Sequence, residues 1–543
     1  MWSPRLTVTL ILCAVLTLGL AASAPAQTPK PGGQIVFGLP WQPVILNPIV
    51  ESDGVSYLVN LWLYDSLIRI NRNLQPVPEL AESWSVSGDG RTWTLNLKKG
   101  VTWHDGQPFT ARDVEFTVYT ILNPKTKTSR RETFSALLGF AELTNADAPK
   151  SPADLPRRPI EIVDPHTLRF HLSRAYAPFL IESLHLGIMP QHLLEGKDVA
   201  TDEFNNHPIG TGPYKFVSWR RGDRLTFEAN PNYHGGRPYL DRIILRVVPE
   251  ETVLLQELRT GGVDFIERVP REAVADIQKN PGFQVEFVDN IGWSNFAFNL
   301  KDPIVSDVRV RQAFAHGVDM PPFLKEVLLG YAKPATGPYP PGTWMYESNV
   351  RTYPYDPERA KALLDQAGWR PGPDGIRTKD GTRLNLRAST FKGHQVGERL
   401  LVVAQQQLKA VGVGVQIEIL ELATWLKSMN EGTYQVTMFN WDGSVDPDRY
   451  AYVAYHSKGG RNRAKYASEA ADRAIEAGRV AVEVAARKAA YSQFQKIVAE
   501  DLPYWSVYHY QHIYAYRAGF KGFVSSPVPS DVYRSVKSVW LDR

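Results

Sequence analysis

Between residues 383 and 441 the chain alternates strand and helix signals without a break. "RLNLRAST" (383–390) predicts a strand and "GERLLVVAQQQLKAV" (397–411) a helix. "VGVQIEIL" (413–420) predicts a strand, "ATWLKSM" (423–429) a short helix and "YQVTMFNW" (434–441) a third strand. A chain with this order has few ways to bury its apolar faces. Each helix carries the chain back over the sheet, so that the next strand lies parallel to the last with a right-handed crossover. The segment predicts an α/β fold with a largely parallel sheet. Flanking signals agree. "DVRVRQAFAHGV" (307–318) puts Val310, Ala313, Phe314, Gly317 and Val318 on one helical face. Asp356 and Pro357 open "ERAKALLDQAG" as cap and first helical residue, and Gly368 stands just past its end.

Upstream the signals are mostly strands and turns. "RTWTLNLKKGVTW" (91–103) and "DPHTLRFHLS" (164–173) alternate polar and apolar residues. "GTGPYKFVSWRRGDRLTFEANPNY" (210–233) predicts a hairpin, with "WRRGDR" (219–224) as its solvated bend. "DRIILRVVP" (241–249) predicts a strand, and "ETVLLQELRTGGVDFIE" (251–267) a helix ended by Gly261-Gly262 and then a short strand. Residues 124–160 have no clear period and predict an excursion. Trp103-His104-Asp105-Gly106 invites a catalytic or metal-binding reading. However, Asp105-Gly106 is a turn dipeptide, and Thr110 with Asp113 forms a capping box for "ARDVEFTVYTIL". Strand, turn, cap and helix account for the cluster, so His104 and Asp105 receive no catalytic role.

The first 26 residues differ from the rest. Arg5, the apolar run "LTVTLILCAVLTLGLAA" and the small-residue site Ala24-Pro25-Ala26 predict a cleaved secretory signal peptide. No later stretch has about 18 uninterrupted apolar residues, so no membrane span is expected. The single cysteine, Cys13, lies inside this leader. Thiol catalysis, disulfides and cysteine metal sites are therefore excluded downstream. A net charge of +4 spread along 543 residues gives no basic stripe for nucleic acid.

In open α/β sheets ligands bind outside the carboxyl ends of the strands. That rule selects two loops: "TFKGHQ" (390–395), with Phe391, Lys392 and His394, and "NWDGSVDPD" (440–448), with Asn440, Trp441, Asp442 and Ser444. Asp446-Pro447 in the second loop is explained as a helix cap followed by Pro at the first helical position. Fourteen Trp, 24 Tyr and 22 Phe would suit a cleft that desolvates an organic ligand. Enzyme signatures are missing: no Gly-x-Ser-x-Gly elbow, no phosphate loop and no His-Glu-x-x-His. His509 and His512 would fall on opposite faces of a strand, which argues against a metal pair.

"PELAESWSVSGDGRTWTLNLKKGVTWHDGQPFTARDVEFT" (78–117), "GTGPYKFVSW", "NPNYHGGRPYLDRI", "SDVRVRQAF" and "DPERAKALLDQAGW" follow one another in an order that resembles the family 5 extracellular solute-binding proteins. These are the oligopeptide, dipeptide and nickel receptors of bacterial ABC importers. The resemblance implies a two-lobed periplasmic-binding-protein clamp of the large type II cluster with an extra peripheral α/β subdomain. Residues 30–60, 205–280 and 510–543 would form lobe one, 61–204 the peripheral part and 287–503 lobe two, with crossings near 281–290 and 503–510. It implies a monomeric periplasmic receptor, not an enzyme, with no cofactor and no nucleic-acid partner. It would trap a small organic solute, foremost a peptide, and deliver it to an inner-membrane ABC permease. A chelated metal, an oligosaccharide or an opine-like compound is the alternative ligand. Peptide-binding members carry Trp-x-x-Asp-x-x-Asp-Pro, whose first Asp pairs with the peptide amine. Here "WDGSVDPD" is one residue shorter, placing Gly443 or Ser444 at that point and leaving Asp442 as the nearest acid.

Overall fold

The computed structural model describes residues 29–542 apart from 52 and 148–150. The leader read over 1–26 lies outside the described residues. The alternation over 383–441 folds into Asn385–Phe391, Gln395–Ala410, Gly414–Leu420, Leu422–Glu431 and Val436–Trp441. Strand Asn385–Phe391 lies between the other two and runs parallel to both. Leu400, Leu401, Ala404 and Leu408 of the long helix join Leu386, Ala388, Val436 and Met438 in one core. Val310, Ala313 and Phe314 pack into the same core from helix Val308–His316, and Val318 joins them from just past its end. Asp356 caps its helix by accepting from the Arg359 N–H at 2.8 Å.

The sheet as a whole is mixed rather than largely parallel. Beside Val436–Trp441 lies Trp293–Phe298, antiparallel to it, and next comes Tyr504–Arg517, antiparallel again. Connectivity explains the departure. Trp293–Phe298 continues Phe283–Asp289 along the same side of Tyr504–Arg517, both antiparallel to it, so its direction is inherited from the other part of the sheet. Strand Tyr504–Arg517 has 14 residues, a length of about 45 Å at the rise of a β-strand. Its first residues pair with Trp293–Phe298, and its last pair with Phe283–Asp289 and Phe265–Ile266. Beyond these the sheet continues through Gln34–Leu39, Arg242–Val247, Arg224–Ala229 and Tyr214–Arg220. Gln34–Leu39 runs parallel to both of its neighbours. One twelve-stranded sheet thus underlies two lobes and has long strand Tyr504–Arg517 in common.

A separate four-stranded antiparallel sheet, in the order Ala81–Val86, Thr92–Leu97, Thr167–His171 and Ile160–Asp164, forms the peripheral α/β unit. Helix Ala111–Leu122 covers it with Val114, Val118 and Ile121. The capping box is present. Thr110 Oγ1 accepts from the Arg112 N–H at 3.3 Å, and Asp113 Oδ2 accepts from the Thr110 N–H at 2.8 Å. The preceding motif is a turn, closed by the Gly106 N–H on the Trp103 carbonyl at 2.9 Å. His104 clamps the segment entering the hairpin. Its Nε2–H donates to the Gly212 carbonyl at 3.0 Å, and its Nδ1 accepts from the Gly210 N–H at 3.2 Å. Burial pushes its pKa down to about 4, which keeps it neutral. Among its described residues the excursion over 124–160 contains three short helical turns, Arg131–Phe134, Phe140–Leu143 and Pro152–Asp154.

Thr110→Ala removes a cap and leaves the sheet intact. The expected result is a loss of about 1 kcal/mol in denaturant unfolding, with ligand affinity unchanged. A large loss of affinity in the folded variant would return the turn motif to the functional site.

Candidate ligand-binding cleft

The two parts of the sheet meet where the chain leaves strand Phe283–Asp289 and enters Trp293–Phe298. Across from this passage lie Tyr508–Gln511 of the long strand. The Asn290 N–H donates to the Tyr510 carbonyl at 3.0 Å, and His509 Nδ1–H donates to the Gly292 carbonyl at 3.0 Å. Asn290 and His512 are also hydrogen-bonded. His509 and His512, three positions apart, therefore both hold the crossing. Gly292 has no room for a side chain. A Cβ there would stand 2.5 Å from the Trp441 carbonyl oxygen and 2.9 Å from the Tyr510 hydroxyl.

The loop after Val436–Trp441 rests on this crossing. Gly443 has φ +79°, and a Cβ on it would stand 2.3 Å from the Ile291 carbonyl oxygen. The left-handed backbone and the close approach both require glycine. Trp441 is buried, with its ring 5.1 Å from Tyr450, 5.2 Å from Phe439 and 6.1 Å from Trp293. It is the base under the loop rather than an open wall. Asp442 is exposed and makes no hydrogen bond or ion pair among the described residues. Ser444 Oγ accepts from the Asp446 N–H and donates to Glu182 Oε1, each at 3.3 Å.

Asn440 and His394 are joined in a hydrogen-bond chain whose direction can be read. The Met438 carbonyl can only accept, so Thr390 Oγ1–H donates to it at 3.0 Å. His394 Nδ1–H then donates to Thr390 Oγ1 at 2.9 Å, and Asn440 Nδ2 donates to His394 Nε2 at 3.3 Å. Ser294 Oγ–H closes the chain on Asn440 Oδ1 at 2.6 Å. Both His394 nitrogens are thereby committed, and its role is to position Asn440. Its ring stacks on Phe391 at 4.9 Å, and burial lowers its pKa. Lys392 stands apart. The next residue along a strand turns to the other side, and its Nζ pairs with Glu421 at 3.0 Å, with 72% of the side chain exposed.

Three features of the cleft were not selected from the sequence. The carboxyl-end rule applied to Gln34–Leu39 and Phe265–Ile266 would have found two of them, Trp41 and Arg268. Trp41 is 50% exposed, and the Arg268 guanidinium lies 4.9 Å from its ring centroid. Arg268 makes no ion pair among the described residues. The charges of Arg268 and Asp442 act on the same hydroxyl: burial raises the Tyr510 pKa, Asp442 raises it further and Arg268 opposes. The third feature is Glu182, on short helix Phe179–Leu184 of the peripheral unit. Burial, with Asp446 and Asp448 nearby, pushes its pKa up to about 7 against the pull of Arg449.

Asp446 does not act as the helix cap expected of it. The cap position is Pro447, and the helix is Asp448–Tyr450. Asp446 Oδ1 does accept from the Asp448 N–H at 2.9 Å, but its carboxylate is fully buried and holds Arg487 through two bonds of 2.8 and 2.9 Å. A buried carboxylate needs such a partner, and Arg487 lies 41 residues away, outside any local signal. Asp448 pairs with Arg479 at 3.1 Å, and burial pushes it up to about 6. Arg479 also lies over the Tyr452 ring at 3.8 Å, and its carbonyl accepts from the Ala177 N–H at 2.8 Å. The peripheral unit is thus docked on this side of the cleft.

His509 and His512 are each pushed down to about 4 by burial, with Arg268 adding to the shift at His512. An unfolded histidine titrates near 6.5. Below that value the unfolded chain takes up protons that the folded one refuses, so stability is lost as pH falls from about 6.5 towards 4. Glu182 and Asp448 are carboxyls with raised pKa values and act in the opposite sense. His509→Gln leaves both in place, so its melting temperature should fall less steeply over that window than that of the wild type. Parallel curves would mean that His509 does not carry this dependence.

The family model for the middle region of bacterial extracellular solute-binding proteins, family 5, matches residues 75–462. Di/tripeptide-binding protein 2 of Pseudomonas aeruginosa is 32% identical over 96% of this chain and 98% of its own length. Among solved structures, the oligopeptide-binding protein AppA of Bacillus subtilis in complex with a nonapeptide covers 95% of this chain and all of its own at 27% identity, with a TM-score of 0.73. NikZ of Campylobacter jejuni in complex with Ni(L-His) covers 93% of this chain and 99% of its own at 25% identity, with a TM-score of 0.75. Lobes, peripheral unit and matched length agree: the chain belongs to the family 5 bacterial extracellular solute-binding proteins.

Proposed function

We propose that the chain is the periplasmic receptor of an ABC importer, taking a peptide between its lobes and handing it to a membrane permease. The observation that carries this reading is a pair of unmatched charges. Asp442 follows one part of the sheet and Arg268 the other, and neither has an ion-pair partner among the described residues. A zwitterion lying across the crossing would give its ammonium to Asp442 and its carboxylate to Arg268. Trp41 adds an apolar surface beside the guanidinium. Peptides have this charge pattern, and relatives named as peptide-binding proteins support the choice. An amino-acid-chelated metal, as in NikZ, is the second reading, because its organic part is also zwitterionic.

We assign 30–60, 205–280 and 510–543 to lobe one, 61–204 to the peripheral part and 287–503 to lobe two. Supporting this division, the sheet changes partners at Asn290–Gly292 and around Tyr508–Gln511. Binding would favour the closed arrangement because the ligand touches both walls only there. The leader over 1–26 would be removed on export. Among the described residues no helix is long and apolar enough to cross a membrane. No catalytic step is assigned, and monomeric action suffices because one chain supplies both walls. Within the site, Asn440, Asp442 and Ser444 would face the ligand, with Phe391, His394 and Trp441 behind them.

Native mass spectrometry of the protein purified without refolding should show a bound peptide mass, whereas a metal chelate would replace this reading with the second. Asp442→Asn keeps the shape and removes the charge, so calorimetric affinity for a free-amine peptide should fall by about 2–5 kcal/mol. Trp441→Ala acts elsewhere, costing about 3–5 kcal/mol of folding stability as a core truncation. Unchanged affinity in Asp442→Asn would remove the carboxylate from the site.

A further inference from the structure

Glu182 belongs to the peripheral unit, yet its carboxylate lies against the ligand loop. Oε1 accepts from Ser444 Oγ–H at 3.3 Å, a contact between residues 262 apart in the chain. The neighbouring acids are matched: Asp446 to Arg487 at 2.8 Å and Asp448 to Arg479 at 3.1 Å. Glu182 is not. It is half-buried, makes no ion pair among the described residues, and its second oxygen has no hydrogen-bond partner there. Arg449 opposes its charge without forming an ion pair with it.

Asp442, on the loop itself, is the other acid here with no ion pair among the described residues, and the charges of both act on the Tyr450 hydroxyl. Burial raises the Tyr450 pKa, and Asp442 and Glu182 each add to the rise, while Arg449 and Arg461 oppose it. Tyr450 packs on Trp441 at 5.1 Å and on Trp293 at 5.4 Å. Two carboxylates with no ion pair among the described residues and a serine hydroxyl supply what a primary ammonium group requires, charge balance and hydrogen-bond acceptors, while the Tyr450 ring beside them already has the Arg449 guanidinium 6.0 Å from its centroid. A half-buried carboxylate beside Asp446 and Asp448 is unfavourable alone and becomes favourable once a cation arrives.

We propose that Glu182 is a second ligand-facing carboxylate, which with Asp442 receives the ammonium group of the ligand beside Tyr450. The assignment rests on the peptide reading and adds to it that the peripheral unit supplies part of the recognition of the ligand's charge. It also accounts for the docking of that unit through Ala177 and Arg479, which brings Glu182 to Ser444. A latch role for Glu182 through Ser444 alone would not distinguish charged from neutral ligands.

The test is a calorimetric cycle with the leaderless chain at about pH 7.5, where much of a peptide α-amine is still protonated. Trialanine and N-acetyltrialanine are titrated into wild type and Glu182→Gln. The expected result is free-amine binding weaker by about tenfold or more in the variant, and N-acetyl binding changed by less than about twofold. Retained N-acetyl binding also reports that the variant is folded. If Glu182→Gln does not fold, Glu182→Asp is put through the same cycle and should weaken the free-amine peptide more than the acetylated one. Equal weakening of both peptides, or of neither, overturns the Glu182 assignment and leaves the peptide reading standing. If the wild type binds neither peptide, the peptide reading falls and takes this assignment with it.

Discussion

The hydrogen bonding along Tyr504–Arg517 is the constraint on which the rest of the molecule depends. One strand is laddered to both parts of the sheet, so neither can move away without breaking backbone bonds. Relative motion is confined to the few residues where the partner strand changes, Asn290 to Gly292. That passage is tied down by His509 and His512, and the loop carrying Asp442 leans directly on Ile291. Any rotation at the crossing is therefore felt at the loop without an intermediary. A ligand held by the loop, as proposed, would bias the same backbone dihedrals that set the angle between the lobes.

Charge is distributed around the cleft in two ways. Asp446 with Arg487 and Asp448 with Arg479 are closed pairs inside the protein, and they hold the segment after the loop in place. Breaking a buried pair strands a charge, typically at about 3–5 kcal/mol. These residues consequently serve as framework. Asp442, Arg268 and Glu182 have no such partners among the described residues, which is what leaves their charge to the proposed ligand. Residue type does not separate the two sets; partnership does.

Much of the scaffold was legible because its signals are local. Thr110 with Asp113, Asp356 with Pro357, and the apolar face of 307–318 are settled within a few residues, and tertiary packing reinforces each of them. The mixed sheet was not legible, because the direction of Trp293–Phe298 is set by where the chain comes from and not by its own sequence. Asp446 was misread because a cap reading needs only the next two residues, whereas Arg487 is 41 away. In the cleft, loops 390–395 and 440–448 were found from a rule about strand ends. That rule does not say which way each side chain turns. Lys392 turned to Glu421, His394 committed both nitrogens internally, and Glu182 arrived from a unit with no local connection to the loop.

The loop after Val436–Trp441 alternates. Asn440, Asp442 and Ser444 bear polar groups at the cleft, while Trp441 is packed beneath and Gly443 touches the crossing. Diversification of cargo and preservation of the machine are thereby assigned to different codons of the same five. On the proposed reading a substitution at Asp442 would change which solute is accepted, whereas Asn440 and Ser444 also hold Ser294, His394 and Glu182 in place. Substitutions at the odd positions would remove the base or the contact with the crossing, whatever the solute. A lineage built on this loop can acquire new diets by point mutation while its mechanics stay fixed, which is a simple route from one importer receptor to many.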